Sequence, residues 1–152
     1  MPKTTAQTTR LSVSLEQRVA IALGRAFSQL AHRMEQVLKP YGLTPTQYNV
    51  LRILNGAGEN GLCGTEIGAR MISKVPDVTR LLDRLVAAGL VERERDPDNR
   101  RFVTARLTDA GRDIVLETTP VLDRMHQAMF KHLSKAQLRS LLDMFPDTFG
   151  DV

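Results

Sequence analysis

The chain has 152 residues, 42% of them hydrophobic, with 21 Lys plus Arg against 17 Asp plus Glu and a formal charge of +4. That suits one domain with its own core and permits a polyanionic partner without demanding one. A single cysteine rules out an internal disulfide and fits a reducing compartment; with no apolar run of membrane-spanning length and no hydrophobic signal core in MPKTTAQTTR, the expectation is a cytoplasmic protein that touches no membrane.

In chain order, residues 1–12 are polar and Thr-rich and read as a disordered tail. Leu15 to Lys39 reads as one long helix. Leu15, Val19, Leu23, Phe27, Leu30, Met34 and Leu38 lie along its apolar stripe, which Ala20, Ile21 and Ala31 widen. This is more apolar surface than one short neighbour covers, so a second chain is a reasonable partner. Pro40-Tyr41-Gly42 ends the helix. Thr44-Pro45-Thr46-Gln47 then has the form of a capping box with Pro in the first turn, and the helix it opens supplies Tyr48, Val50, Leu51, Ile53 and Leu54 to a core. Gly56 and Gly58 close it. Leu62 to Ile72 holds a third, short helix with Ile67 and Met71 facing inward.

The most informative stretch is Ser73 to Leu107. Val78, Leu81, Leu82, Leu85 and Val86 repeat at helical spacing, with Asp77, Arg80, Asp83 and Arg84 on the opposite side. Pro76 suits a first-turn position and Gly89 a stop. Leu90 to Arg95 and Phe102 to Leu107 read as two strands joined by the hairpin DPDNRR. From Arg70 to Arg106 nine basic residues stand against six acidic ones, three of the four net positive charges. Two short helices joined closely, the second with an Arg-bearing face, followed by a basic hairpin, can enter a DNA groove and grip the backbone beside it. Beyond the hairpin, Thr108-Asp109-Ala110 starts a long helix to about His132. Ile114, Val121, Leu122, Met125 and Met129 are its expected buried positions, and Pro120 inside it is expected to kink or interrupt it. Ser134-Lys135-Ala136-Gln137 is a second capping box, opening an amphipathic helix through Leu138, Leu141, Leu142 and Phe145.

VTRLLDRLVAAGLVER, then DPDNRR, then LTDAGR, in this order and spacing, resemble the MarR family of bacterial winged-helix transcription regulators. The resemblance runs from about Leu15 to Phe145. It implies a mainly α fold with a small β-hairpin wing: a winged helix-turn-helix DNA-binding lobe over residues 44–107, and a helical dimerisation lobe over 13–43 and 108–152, in a single domain over 13–152. It also implies a sequence-specific double-stranded DNA-binding transcriptional regulator, a repressor on a palindromic operator bound as a homodimer. In the family the helix carrying Pro76 to Ala87 lies in the major groove and the wing-tip arginine reaches the adjacent minor groove; some members release DNA on binding small aromatic acids or phenols, others on cysteine oxidation.

By position, Asp98 and Arg100 match the wing's acidic residue and its arginine, with Asn99 where a second Asp is common. Thr79 and Arg80 match the reading-helix dipeptide. The expected DNA-binding set is Thr65, Ser73, Lys74, Pro76, Asp77, Thr79, Arg80, Arg84, Asp98, Arg100 and Arg101. Arg pairs bidentately with guanine, Asp accepts from cytosine, and the methyls of Thr and Pro meet a thymine methyl. The competing reading of these charges is a solvated face with weak ion pairs such as Asp77–Arg80. Of Arg93, Arg95 and Arg106 on the strands, some are expected to touch phosphate and some to hold the wing against the domain.

His32, Arg33 and Tyr48 are the candidate receptors for a small aromatic acid inducer, against the plainer reading of His32 and Arg33 as surface residues. Cys63 stands where Ser or Thr normally caps the third helix; a redox role there competes with that of an ordinary small capping residue, which is favoured. No metal-ligand spacing links His32, His126 and His132, and no cofactor is implied. No phosphate loop, zinc-protease motif or nucleophile elbow is present, so an enzyme is disfavoured. The rival from another class is a helical module whose basic hairpin binds an acidic protein.

Overall fold

The computed structural model describes residues 13–95 and 103–144. By its own contacts the chain divides at Arg33 into a first unit ending at His32 and a second beginning at Arg33. The described residues of the first unit are helical from Leu15 onward. Ser14 Oγ accepts the Gln17 N–H at 3.1 Å and starts helix α1 (Leu15–Leu38). Leu15, Val19, Ile21, Leu23 and Phe27 are all exposed there, Leu15 by 69% and Phe27 by 64%.

In the second unit the α1 helix ends at Leu38, one residue before the expected Lys39, and a single 3-10 turn over Lys39–Tyr41 follows. Gly42, at φ +68°, reverses the chain, a backbone state that costs a residue with a Cβ. The Thr44 box then forms as the sequence implies. Thr44 Oγ1 accepts the Gln47 N–H at 3.2 Å, and Gln47 Oε1 accepts the Thr44 N–H at 2.9 Å. Helix α2 (Pro45–Ala57) follows, with Tyr48, Val50, Leu51, Ile53 and Leu54 buried.

Strand β1 (Leu62–Cys63) was not legible in the sequence. It leads directly into helix α3 (Gly64–Arg70), which starts later than the expected Leu62 because Leu62 and Cys63 are spent on sheet pairing, and ends at Arg70, before an extended Met71 and short of the expected Ile72. Helix α4 (Val78–Ala87) buries Leu81, Leu82 and Leu85; Val86 is exposed. Strands β2 (Val91–Arg95) and β3 (Val103–Leu107) pair antiparallel, Val91 opposite Leu107 and Arg95 opposite Val103. Strand β1 lies on the other side of β3, Leu62 opposite Ala105, so the wing is a three-stranded sheet in the order β1-β3-β2 rather than a two-stranded hairpin.

Helix α5 (Asp109–Met129) runs unbroken through Pro120, so the expected interruption does not occur, and it ends three residues before His132. Proline removes one N–H from the ladder. The adjoining Thr118 and Thr119 hydroxyls donate to the carbonyls of Ile114 and Val115, one turn back in the same helix, at 2.6 and 2.7 Å. Its buried residues are Gly111, Val115, Thr118 and Leu122, whereas the expected Ile114, Val121, Met125 and Met129 are half-buried. Helix α6 (Lys135–Asp143) opens with the Ser134–Gln137 capping box.

Residues of α2, α3, α4, the sheet and α5 share one core, in which Leu38, Val50, Leu51, Ile67 and Leu85 are wholly buried. Gly111, in the first turn of α5, lies so close to the chain after α4 that an added Cβ would stand 2.1 Å from the Leu90 carbonyl oxygen. Thr108 caps the same turn: its Oγ1 accepts the Gly111 N–H at 3.0 Å and donates to Gly89 O at 2.7 Å.

Candidate nucleic-acid interface

The interface is built outward from the buried face of α4. With Leu81, Leu82 and Leu85 turned to the core, helical periodicity leaves Thr79, Arg80, Asp83, Arg84 and Ala87 outside, and all five are exposed. The helix starts two residues later than the sequence suggests. Asp77, not Pro76, decides the boundary: its Oδ1 accepts the Arg80 N–H at 2.8 Å, which makes it the N-cap. Pro76 therefore precedes the cap and is not a first-turn residue. It is exposed, as are Ser73 and Lys74 in the segment between α3 and α4. Asp77 has one carboxylate oxygen engaged in capping, which also holds its side chain in place.

That segment is pinned from beneath. Asn49, on α2 and 7% exposed, accepts the Ile72 N–H through Oδ1 at 3.1 Å. Helices α3 and α4 meet at Gly68, where an added Cβ would stand 3.4 Å from Val78 Cγ2. The joining segment and the outer face of α4 expose Ser73, Lys74, Asp77, Thr79, Arg80 and Arg84, with the apolar Ile72 exposed beside them.

Thr65 is exposed in the first turn of α3, its hydroxyl 3.0 Å from Cys63 Sγ. Cys63 is the N-cap residue of that helix. Its backbone N–H donates to Glu66 Oε2 at 2.8 Å. That bond, then the Cys63 side chain, holds the Glu66 carboxyl below its ordinary value.

Two of the three strand arginines are held within the protein. Arg93 reaches from β2 to α4, Nη1 donating to Asp83 Oδ1 at 2.7 Å and Nη2 to Thr79 O at 2.9 Å. Arg106 on β3 donates through Nε to Glu59 O at 2.6 Å and pairs with Glu94 across the sheet. Both brace the wing. Arg95 is exposed at the end of β2. Asp98, Arg100 and Arg101, expected at the wing tip, lie outside the described residues, as do residues 1–12 and Phe145.

His32 is exposed on α1 at the end of the first unit, and Arg33 is exposed at the start of the second. Tyr48 is a core residue whose hydroxyl is 3.3 Å from Thr119 Oγ1, joining α2 to α5. Asn49 went unassigned in the sequence, and Arg93 was left open between phosphate and the wing. Asn49 carries a signal, a polar residue inside the buried Tyr48–Leu51 run. Arg93 carries another, a charge at the same strand phase as buried Val91. Among the described residues no group of three or more His, Cys, Asp or Glu could hold a metal ion, and no helix is long and apolar enough to cross a membrane.

Comparison with known proteins agrees with this architecture. Residues 41–101, which include α2 through β2, match the sequence model of the MarR family. The HTH-type transcriptional repressor IacR of Pseudomonas putida is 30% identical over 130 residues, 86% of this chain and 77% of that protein. A MarR transcription factor from Planctomyces limnophilus superposes with a TM-score of 0.69 at 33% identity, covering 88% of this chain and 96% of the other. BpsR of Bordetella bronchiseptica, whose DNA binding is regulated by 6-hydroxynicotinic acid, superposes at 0.75 with 26% identity over 85% of this chain and 96% of its own. The chain belongs to the MarR family of winged-helix, DNA-binding transcriptional regulators.

Proposed function

We propose that the protein is a repressor that binds a palindromic operator as a homodimer through α4 and the wing. The observation that carries this reading is the exposed face of α4, where Thr79, Arg80 and Arg84 stand clear of a core filled by Leu81, Leu82 and Leu85. Arg80 is the base reader and Arg84, one turn further on, the phosphate contact; Thr65, Ser73, Lys74, Pro76, Asp77 and Thr79 complete the set on the described residues. Asp98, Arg100 and Arg101 act from the wing tip, with Arg100 in the minor groove, whose negative potential attracts arginine where it is narrow.

Dimerisation is supported by the apolar residues of the first unit. Leu15, Val19 and Phe27 are exposed, at a spacing that puts them along one side of a helix, and such a stripe is covered when two copies meet. A twofold pair presents two reading helices about one turn of DNA, roughly 34 Å, apart. Release follows if a small aromatic or phenolic acid binds better to a state with another spacing, since a ligand shifts populations only by its differential affinity. The regulation of BpsR by a hydroxylated aromatic acid supports that class of effector, and His32, Arg33 and Tyr48 are the candidate receptors.

Salt titration tests the reading. Phosphate neutralisation requires log affinity to fall linearly with log salt, at a slope near 0.9 per contacted phosphate, together with a large preference for one palindrome. A shallow slope and equal affinity for all duplexes would favour an acidic protein partner instead.

A further inference from the structure

We propose that Arg93 is a positioning residue that locks the wing to the reading helix, so that minor-groove engagement and base reading form one rigid unit; this rests on the reading of α4 as the base-reading helix given above. Arg93 occupies the middle of β2, opposite Ala105, on the same side of the strand as buried Val91. Its side chain is 25% exposed, and its guanidinium is used on α4. One nitrogen donates to the Asp83 carboxylate at 2.7 Å and another to the Thr79 carbonyl at 2.9 Å.

Each partner has a consequence for DNA. Thr79 is the second residue of α4, next to Arg80. A helical carbonyl already accepts an N–H from four residues on, so Arg93 takes its second lone pair. The planar guanidinium fork thereby fixes how the first turn of α4 is rotated relative to β2, which a single point charge could not do. Asp83 lies on the exposed face of α4 between Arg80 and Arg84. Left alone, its carboxylate would repel phosphate; paired with Arg93, its charge is compensated from the wing side. Arg93 therefore neutralises a protein charge rather than a phosphate, and its contribution to binding is geometric.

The test compares full-length wild type, R93Q, D83N and the double variant on a selected operator and on random duplex, each across a salt series and on the folded, active fraction. R93Q and D83N are each expected to lower the operator-to-random ratio about five- to tenfold, the scale of a lost charge-assisted bond at a partly exposed site. The salt slope is expected to stay at the wild-type value, and the double variant to fall no further than the worse single one. R93K, which keeps the charge without the fork, is expected to recover only part of the ratio. If R93Q fails to fold, D83N carries the same test. A slope shallower by about 0.9 in R93Q, with tighter binding of D83N to every duplex, would make Arg93 a phosphate contact and overturn the proposal. So would unchanged ratios in both single variants while wild type still prefers its operator. A wild type with no operator preference would instead remove the reading on which the proposal rests.

Discussion

The side-chain oxygen of Asn49 accepts the backbone N–H of Ile72 at 3.1 Å, tying the segment between α3 and α4 to the middle of α2. The same amide's Nδ2 is buried with no partner among the described residues, so Asn49 contributes through one bond while carrying a desolvation cost. Asn49→Ala is expected to cost about 1–2 kcal/mol of stability, as for a partly buried hydrogen bond. The Ile72 amide is expected to exchange with solvent faster in the variant; unchanged exchange would show that the bond does not hold the segment.

Gly111 and Gly56 make opposite predictions for one chemical change. Both are helical, and alanine is the better helix former by about 1 kcal/mol. At Gly56 nothing lies within 4 Å of an added Cβ, so Gly56→Ala is expected to raise Tm. At Gly111 the Cβ would meet the backbone carbonyl oxygen of Leu90 at 2.1 Å. Gly111→Ala is expected to cost about 2 kcal/mol or more, as overpacking with no flexible neighbour to give way. Thermal unfolding of the two variants checks the sign of each.

Arg80 and Arg84 are both exposed on α4, one turn apart. Arg80→Ala is expected to lose about 1–3 kcal/mol on the operator and much less on random DNA, because a bidentate base contact discriminates. Arg84→Ala is expected to weaken binding to every duplex and to make the salt slope shallower by about 0.9. Equal losses on operator and random DNA for Arg80→Ala would contradict its assignment as a base reader.

Glu66 sets a pH dependence. Its carboxylate accepts the Cys63 N–H, and its folded value lies below the ordinary 4.5. A carboxyl depressed on folding contributes stability above its unfolded value and loses it as pH falls through the folded one. The Tm advantage of wild type over Glu66→Gln is therefore expected to be constant above about pH 5 and to shrink below it. An advantage that grows on acidification would contradict the capping role.

Effector release is checked by titrating aromatic acids against the preformed protein–operator complex. At least one is expected to lower operator affinity, and Arg33→Ala to blunt the effect without changing affinity in the absence of the acid. A broad panel with no effect would remove the inducible mechanism and leave DNA binding standing.

Local chemistry was readable in the sequence and long-range partnership was not. The boxes at Thr44 and Ser134 formed as written because capping is decided within four residues. The buried set of α2 followed from its apolar residues and the Leu81, Leu82 and Leu85 stripe from helical period, although Val86 at the same period is exposed. Strand β1 has two residues, too few to show a period, and exists because β3 offers Leu62 and Cys63 partners. Pro76 suggested the start of α4, but the adjacent Asp77 carboxylate reached the Arg80 N–H and set the boundary. Arg80 was placed on the exposed face by pattern and Thr79 was singled out by the family resemblance, whereas the bridge from Arg93 to Thr79 and Asp83 depends on how a strand fourteen residues away folds back.

Selection from a pool of random duplexes, with the protein's hydrodynamic mass measured in the same buffer, tests the central assignment most directly. The expected result is a dimer that enriches an inverted repeat with half-site centres about ten base pairs apart. A monomer, or a pool with no inverted repeat after selection, would contradict it.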